Sequence, residues 1–165
     1  MSHDDYRVLA ARIRAELEDI GRVVDRAERA ALLIRQQPGE DIYVDAAVHN
    51  LHDFYSALER IFLQIAKVVD RSVPDGERWH RDLLEQMRLP MSAVRPAVLQ
   101  AGTALHLDEY LRFRHVVRNV YSFSIDSQRV VQLVDGIRPL FREVTEQLEQ
   151  FAQILEQWSS EAAGD

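Results

Sequence analysis

The ten residues from Arg112 to Tyr121 hold the side chains best suited to chemistry: Arg112, Arg114, Arg118, His115, Asn119 and Tyr121. Guanidinium forks match phosphate oxygens and tolerate partial burial. Histidine gives or takes a proton near neutral pH. An amide such as Asn119 can orient a hydroxyl by hydrogen bonding but cannot transfer a proton usefully. The set therefore suggests phosphate handling, with His115 as the nearby group able to move protons.

A helix must position these groups. At about 100° per residue, Phe113, Val116, Val117 and Val120 fall on one side as a core stripe, and Arg114, Arg118, His115 and Asn119 take a polar arc of roughly 140°. On a regular helix Asn119 points about 140° away from Arg114. Either the helix deforms near Arg118, or the two residues serve different walls of a cleft. Tyr110 could line that cleft or stack a base, or form part of the core rim. Tyr121 could equally be a half-buried tyrosine at the helix end with a wet hydroxyl. The plain alternative for the arginines is a solvated face, with Arg112, Arg114 and Arg118 paired to acids such as Asp108 and Glu109 at helical spacing. Such pairs contribute a few tenths of a kcal/mol each.

The run Arg114-His115-Val116-Val117-Arg118-Asn119-Val120-Tyr121 resembles the motif of the HEPN superfamily: an Arg, a polar residue, a short gap, a His and, in the HepT branch, a Tyr soon after. Asn119 stands here in place of that His. Further stretches are similar to HepT-like toxins in the same order: Leu51-His52-Asp53-Phe54-Tyr55, Leu58-Glu59-Arg60-Ile61-Phe62, Trp79-His80 with Leu83-Leu84, and Arg95-Pro96-Ala97-Val98. The resemblance covers residues 40 to 155.

The resemblance implies a homodimeric helical toxin of a bacterial toxin–antitoxin pair, a metal-independent endoribonuclease whose cleft is built from both copies of the motif. The RNA 2′-hydroxyl would attack the adjacent phosphate while Arg stabilises charge and His moves protons. Arg114, His115 and Asn119 take the catalytic places, and Arg118, Arg112 and Tyr110 the substrate-binding ones. Tyr121 matches the position that a nucleotidyltransferase antitoxin modifies with AMP. Adding a charged phosphodiester beside the arginines would block RNA. Because Asn119 cannot replace the motif His, a second expectation stands beside the first: a non-catalytic HEPN module binding RNA, nucleotide or a nucleotidyltransferase partner. A third is a helical interaction protein. No cofactor is implied.

Composition narrows the classes. At 165 residues, 47% hydrophobic and 28% charged, the chain fits one soluble domain spanning residues 1–165. A net charge of −7 argues against a whole-surface nucleic-acid binder, so such a function needs a local patch. There is no cysteine, hence no disulfide framework or thiolate metal site. His49 and His52 near Asp45 and Asp53 lack the further ligands a metal needs, and no metal is expected. The acidic start Met1–Asp5 does not read as a signal peptide, no apolar run spans a membrane, and a cytoplasmic location is expected.

Periodicity predicts an all-α chain, an up-down four-helix bundle with one additional short helix. Helical runs are expected over Asp4–Gln36, to about Val69 after Pro38-Gly39, and over Trp79–Met87. Further runs are expected from His106 to about Phe123, and from about Gln128 to Trp158 with an interruption or bend near Gly136 and Pro139. The tail 159–165 is expected to fray.

Overall fold

The computed structural model describes residues 3–161. Five α-helices follow in order: α1 His3–Gln36, α2 Asp41–Ile65, α3 Trp79–Arg88, α4 Ala101–Asn119 and α5 Ser127–Glu161. A π-helical turn, Ala66–Asp70, extends α2, and a 3₁₀ turn, Ser122–Ser124, joins α4 to α5. Among the described residues there is no strand beyond an isolated bridge between Met91 and Arg95. The all-α bundle with one short helix is thus the observed architecture.

The apolar stripe of α1, from Leu9 through Ile13, Leu17, Ile20, Val24, Ala27 and Ala31 to Ile34, is buried. It faces α2 and α5, which flank it along its length. Gly39, at φ +122°, makes the reversal into α2 in a conformation that disfavours a side chain. Helix α2 is the central rod and touches α1, α3, α4 and α5. Its Leu51, Phe54, Tyr55, Leu58, Phe62 and Ile65 are sealed from solvent. Each of the Leu, Ile and Phe side chains among them contributes about 1.5–3 kcal/mol by burial. Arg14 fastens α1 to α5 through Glu149 (2.9 Å) and Glu156 (2.5 Å).

The link between α3 and α4 is irregular but pinned. Asp70, carried inward by the π turn, and Arg95 form an ion pair with both side chains fully buried, Nη2 donating to Oδ2 at 2.8 Å. Arg95 also donates to the carbonyls of Leu89, Pro96 and Gln86 at 3.0–3.1 Å. All this holds α3 against α4, the arrangement on which the site below depends.

Helix α4 begins at Ala101, not at His106 as the sequence suggests, and ends at Asn119, before Phe123. Its start is fixed from outside: the Gln100 N–H donates to Gln147 Oε1 of α5 at 2.8 Å. Helix α5 runs without interruption through Gly136 and Pro139. Pro139 and Asp135 are both exposed, so water can take the carbonyl bond that proline leaves unmade. Asp126 caps α5, Oδ1 accepting from the Gln128 N–H at 2.9 Å. Helix α5 extends through Ser159 to Glu161, and the rest of the tail expected to fray, residues 162–165, lies outside the described residues.

Candidate functional site

The arginines of α4 diverge. Arg112 is exposed and pairs one turn back with Asp108, Nε to Oδ2 at 2.7 Å, and Asp108 also accepts from Arg81 of α3 at 3.3 Å. Arg114 turns inward and is only 8% exposed. Its Nη1 donates to Glu59 Oε1 of α2 at 2.8 Å, and its guanidinium carbon lies 5.8 Å from the centre of the Tyr55 ring. The other Glu59 oxygen lies 2.7 Å from Nδ1 of His80 on α3. One buried carboxylate thereby ties together α2, α3 and α4.

This geometry corrects the simplest picture of the motif, in which Arg114 and Arg118 together offer forks to one anion. Arg114 is engaged beneath the surface by a carboxylate of its own chain. Arg118 is exposed and has no carboxylate partner among the described residues. Helix α4 stays regular through Asn119, so Asn119 and Arg114 occupy different sides of it. The Asn119 amide donates to the His115 carbonyl at 2.7 Å, which closes the last turn, and Val120 is extended (φ −134°, ψ 157°). Beyond it Tyr121 and Phe123 are each 76% exposed, with rings stacked 5.3 Å apart at 7°.

Tyr110 is not a cleft residue. It is buried, packs edge-on against Phe54 at 5.4 Å, and donates its hydroxyl to the Leu133 carbonyl at 2.7 Å. Gly136 allows this approach, since a Cβ there would lie 3.3 Å from the Tyr110 oxygen. Burial pushes the Tyr110 hydroxyl pKa up, and burial followed by the nearby Glu59 charge does the same for Tyr55. Neither phenol can serve as a base near neutrality.

His115 and Arg112 instead open into a cleft of about 380 Å³ between α3 and α4, lined also by Glu77, Arg78, His80, Arg81, Leu111 and Val116. Its lining holds three guanidiniums and two imidazoles against the carboxylate of Glu77. The sequence assigns roles to two of these groups, Arg112 and His115. Arg78 and Arg81 carry no motif, and His80 stands in a family-like stretch with no role of its own. Their convergence depends on α3 docking onto α4, which no local spacing encodes. Glu59 lies within one of the family-like stretches, but its bridging place emerges only with the fold.

A groove of about 340 Å³ between α1 and α2 contains Arg12, Glu16, Arg60 and Lys67 but no histidine. Arg60 there is paired with Glu16, so the groove offers little for proton transfer. His49 and His52 lie 3.2 Å and 3.6 Å from oxygens of Asp53. Among the described residues no group of three or more His, Cys, Asp or Glu side chains is placed to hold a metal.

No curated protein and no solved structure matches the chain. A family model described as HepT-like protein matches residues 46–155, a span that takes in most of α2, all of α3 and α4 and most of α5. The segments that build the Glu59 bridge and the α3–α4 cleft all lie inside the match. By this match over most of its length, the chain belongs to the HepT-like family of the HEPN superfamily.

Proposed function

We propose that this protein is the toxin of a bacterial toxin–antitoxin pair, a cytoplasmic, homodimeric and metal-independent endoribonuclease. The observation that carries the proposal is the side of α4 on which Arg112, held by Asp108, and His115 face an open cleft rich in guanidinium and imidazole groups, with Arg118 unpaired and exposed nearby. Family membership supports the toxin assignment, the family being generally associated with such pairs. In this scheme Arg112 and Arg118 bind RNA phosphates, His115 transfers protons, and Arg114, held by Glu59, keeps α4 in register. Asn119 positions the His115 turn through its carbonyl. Val116, Val120, Tyr121 and Phe123, exposed together at the end of α4, provide an apolar surface on which two copies can join. The Tyr121 hydroxyl is accessible to a nucleotidyltransferase antitoxin, and an AMP diester there would place negative charge close to Arg118.

One observation favours a second reading, a HEPN module that binds RNA, nucleotide or the transferase without cutting. The residue in the motif His position acts as a helix cap, and the motif Arg is neutralised by Glu59. Expression in a bacterial host and incubation of purified protein with RNA in chelator separate the two. The nuclease predicts growth arrest and cleavage, both lost in Arg118→Ala and His115→Ala. Binding of intact RNA without cleavage would establish the module instead. Mass spectrometry of protein co-expressed with a nucleotidyltransferase antitoxin should show AMP on Tyr121 and none on Tyr121→Phe.

A further inference from the structure

We infer that His80 is the proton acceptor of this site, paired across the α3–α4 cleft with His115 as proton donor; the inference rests on the nuclease reading above. The motif position that would carry a histidine holds Asn119, so one proton-transfer group is missing from α4 itself. His80 supplies it from a different helix. It lines the same cleft as His115, Arg112, Arg78 and Arg81. Its side chain is 25% exposed, against 7% for Glu59.

The orientation of His80 is fixed on two sides. Its ring stacks on Trp79 with centroids 3.6 Å apart. Nδ1 lies 2.7 Å from Glu59 Oε2, and a carboxylate only accepts, so Nδ1 carries the hydrogen and, in the neutral imidazole, Nε2 is the ring nitrogen with a lone pair. Glu59 is itself held by Arg114, which makes the buried motif Arg a positioning residue acting on His80 through Glu59. The charged or titratable groups around His80 are Glu59 from α2, Arg112, Arg114, His115 and, bonded to Arg112 and Arg81, Asp108 from α4, and Glu77, Arg78 and Arg81 beside it in the chain.

In the step this arrangement permits, His80 Nε2 removes the proton of an RNA 2′-hydroxyl as the 2′-oxygen bonds to phosphorus. The bond from phosphorus to the 5′-oxygen breaks, and that oxygen takes a proton from the His115 imidazolium. The products are a 2′,3′-cyclic phosphate and a 5′-hydroxyl, with no other reactant. Arg78 lines the cleft without a carboxylate partner among the described residues and would meet a phosphate oxygen directly, whereas Arg81 and Arg112 would first have to leave Asp108.

The test compares full-length wild type, His80→Ala and His80→Gln on one RNA in chelator across pH 5–9, alongside binding of the same sequence with 2′-O-methyl groups. Wild type should give a bell-shaped rate profile. Both variants should lose about 10²–10⁴-fold in rate, lose the rising acid limb, and bind the methylated RNA within about twofold of wild type. Added imidazole should restore cleavage by His80→Ala and leave wild type unchanged, which a purely structural role would not produce. Cleavage by both variants with the acid limb intact would overturn the role of His80 while leaving the nuclease reading standing. Loss of rate without imidazole rescue and with weakened binding in both variants would also overturn it. A wild type that binds and never cuts would refute the nuclease reading, and with it the proton relay.

Discussion

Glu59 offers the sharpest test of how the site is built. Its side chain is 7% exposed and the side chain of Arg114 10%, with a 2.8 Å hydrogen bond between them. Glu59→Leu leaves the Arg114 guanidinium buried without its counter-charge and removes the acceptor from His80. Breaking a buried pair from one side costs about 3–5 kcal/mol. His80 can recover water because it is partly open, so the cost falls mainly on Arg114. At about 2–4 °C per kcal/mol for a chain of this size, Tm should drop by about 6–20 °C. Replacing both partners, Glu59→Leu with Arg114→Met, removes the uncompensated charge and should bring stability back to within about 1–2 kcal/mol of wild type. Urea unfolding of wild type, both single variants and the double variant, analysed with a common slope, gives the coupling directly. We expect it to exceed about 2 kcal/mol. A loss under about 1 kcal/mol for Glu59→Leu, or single losses that simply add in the double variant, would refute the buried bridge.

Three further outcomes follow from the same geometry. Arg95→Met strands the fully buried Asp70 carboxylate and should cost about 3–5 kcal/mol; hydrogen exchange should show faster loss of the Val98 and Leu99 amides, which now bond to the Met87 carbonyl. Gly136→Ala gains about 1 kcal/mol of helix propensity but crowds the Tyr110 hydroxyl at 3.3 Å, so the substitution should stabilise a Tyr110→Phe background more than wild type, as read by thermal unfolding. Hydrogen bonds from Arg14 hold the Glu156 carboxyl below its ordinary range. Its folded pKa is lower than its unfolded one, so the contribution is complete at neutral pH and fades as pH falls through the acidic carboxylate range. Arg14→Met should therefore flatten the acid side of a plot of Tm against pH.

Much of the fold was legible because helical periodicity is a local signal: the stripe from Leu9 to Ile34 and the wide apolar face of α2 mark rods that must pack together. What was not legible depends on contacts between distant residues. Gln147 fixes the start of α4 from α5, so the helix begins before His106, where its own sequence would start it. Tyr110 falls within about 20° of Val117 on the helix, and Gly136 opens room for it in the core, whereas Val116 and Val120 of the expected core stripe are exposed. The motif helix is written in local spacing, whereas the inward turn of Arg114 is not, because Glu59 lies 55 positions earlier in the chain. The contribution of α3 to the cleft is hidden in the sequence for the same reason: Arg78, His80 and Arg81 gain significance only once Asp70 and Arg95 have fastened the intervening link.

The most direct measurement is the fate of an RNA incubated with the purified protein in chelator, beside an identical strand bearing 2′-O-methyl groups. We predict cleavage of the first alone, with 2′,3′-cyclic phosphate and 5′-hydroxyl ends that disappear in His115→Ala. Equal cleavage of both strands, or persistence of both uncut in the presence of bound protein, would contradict the account.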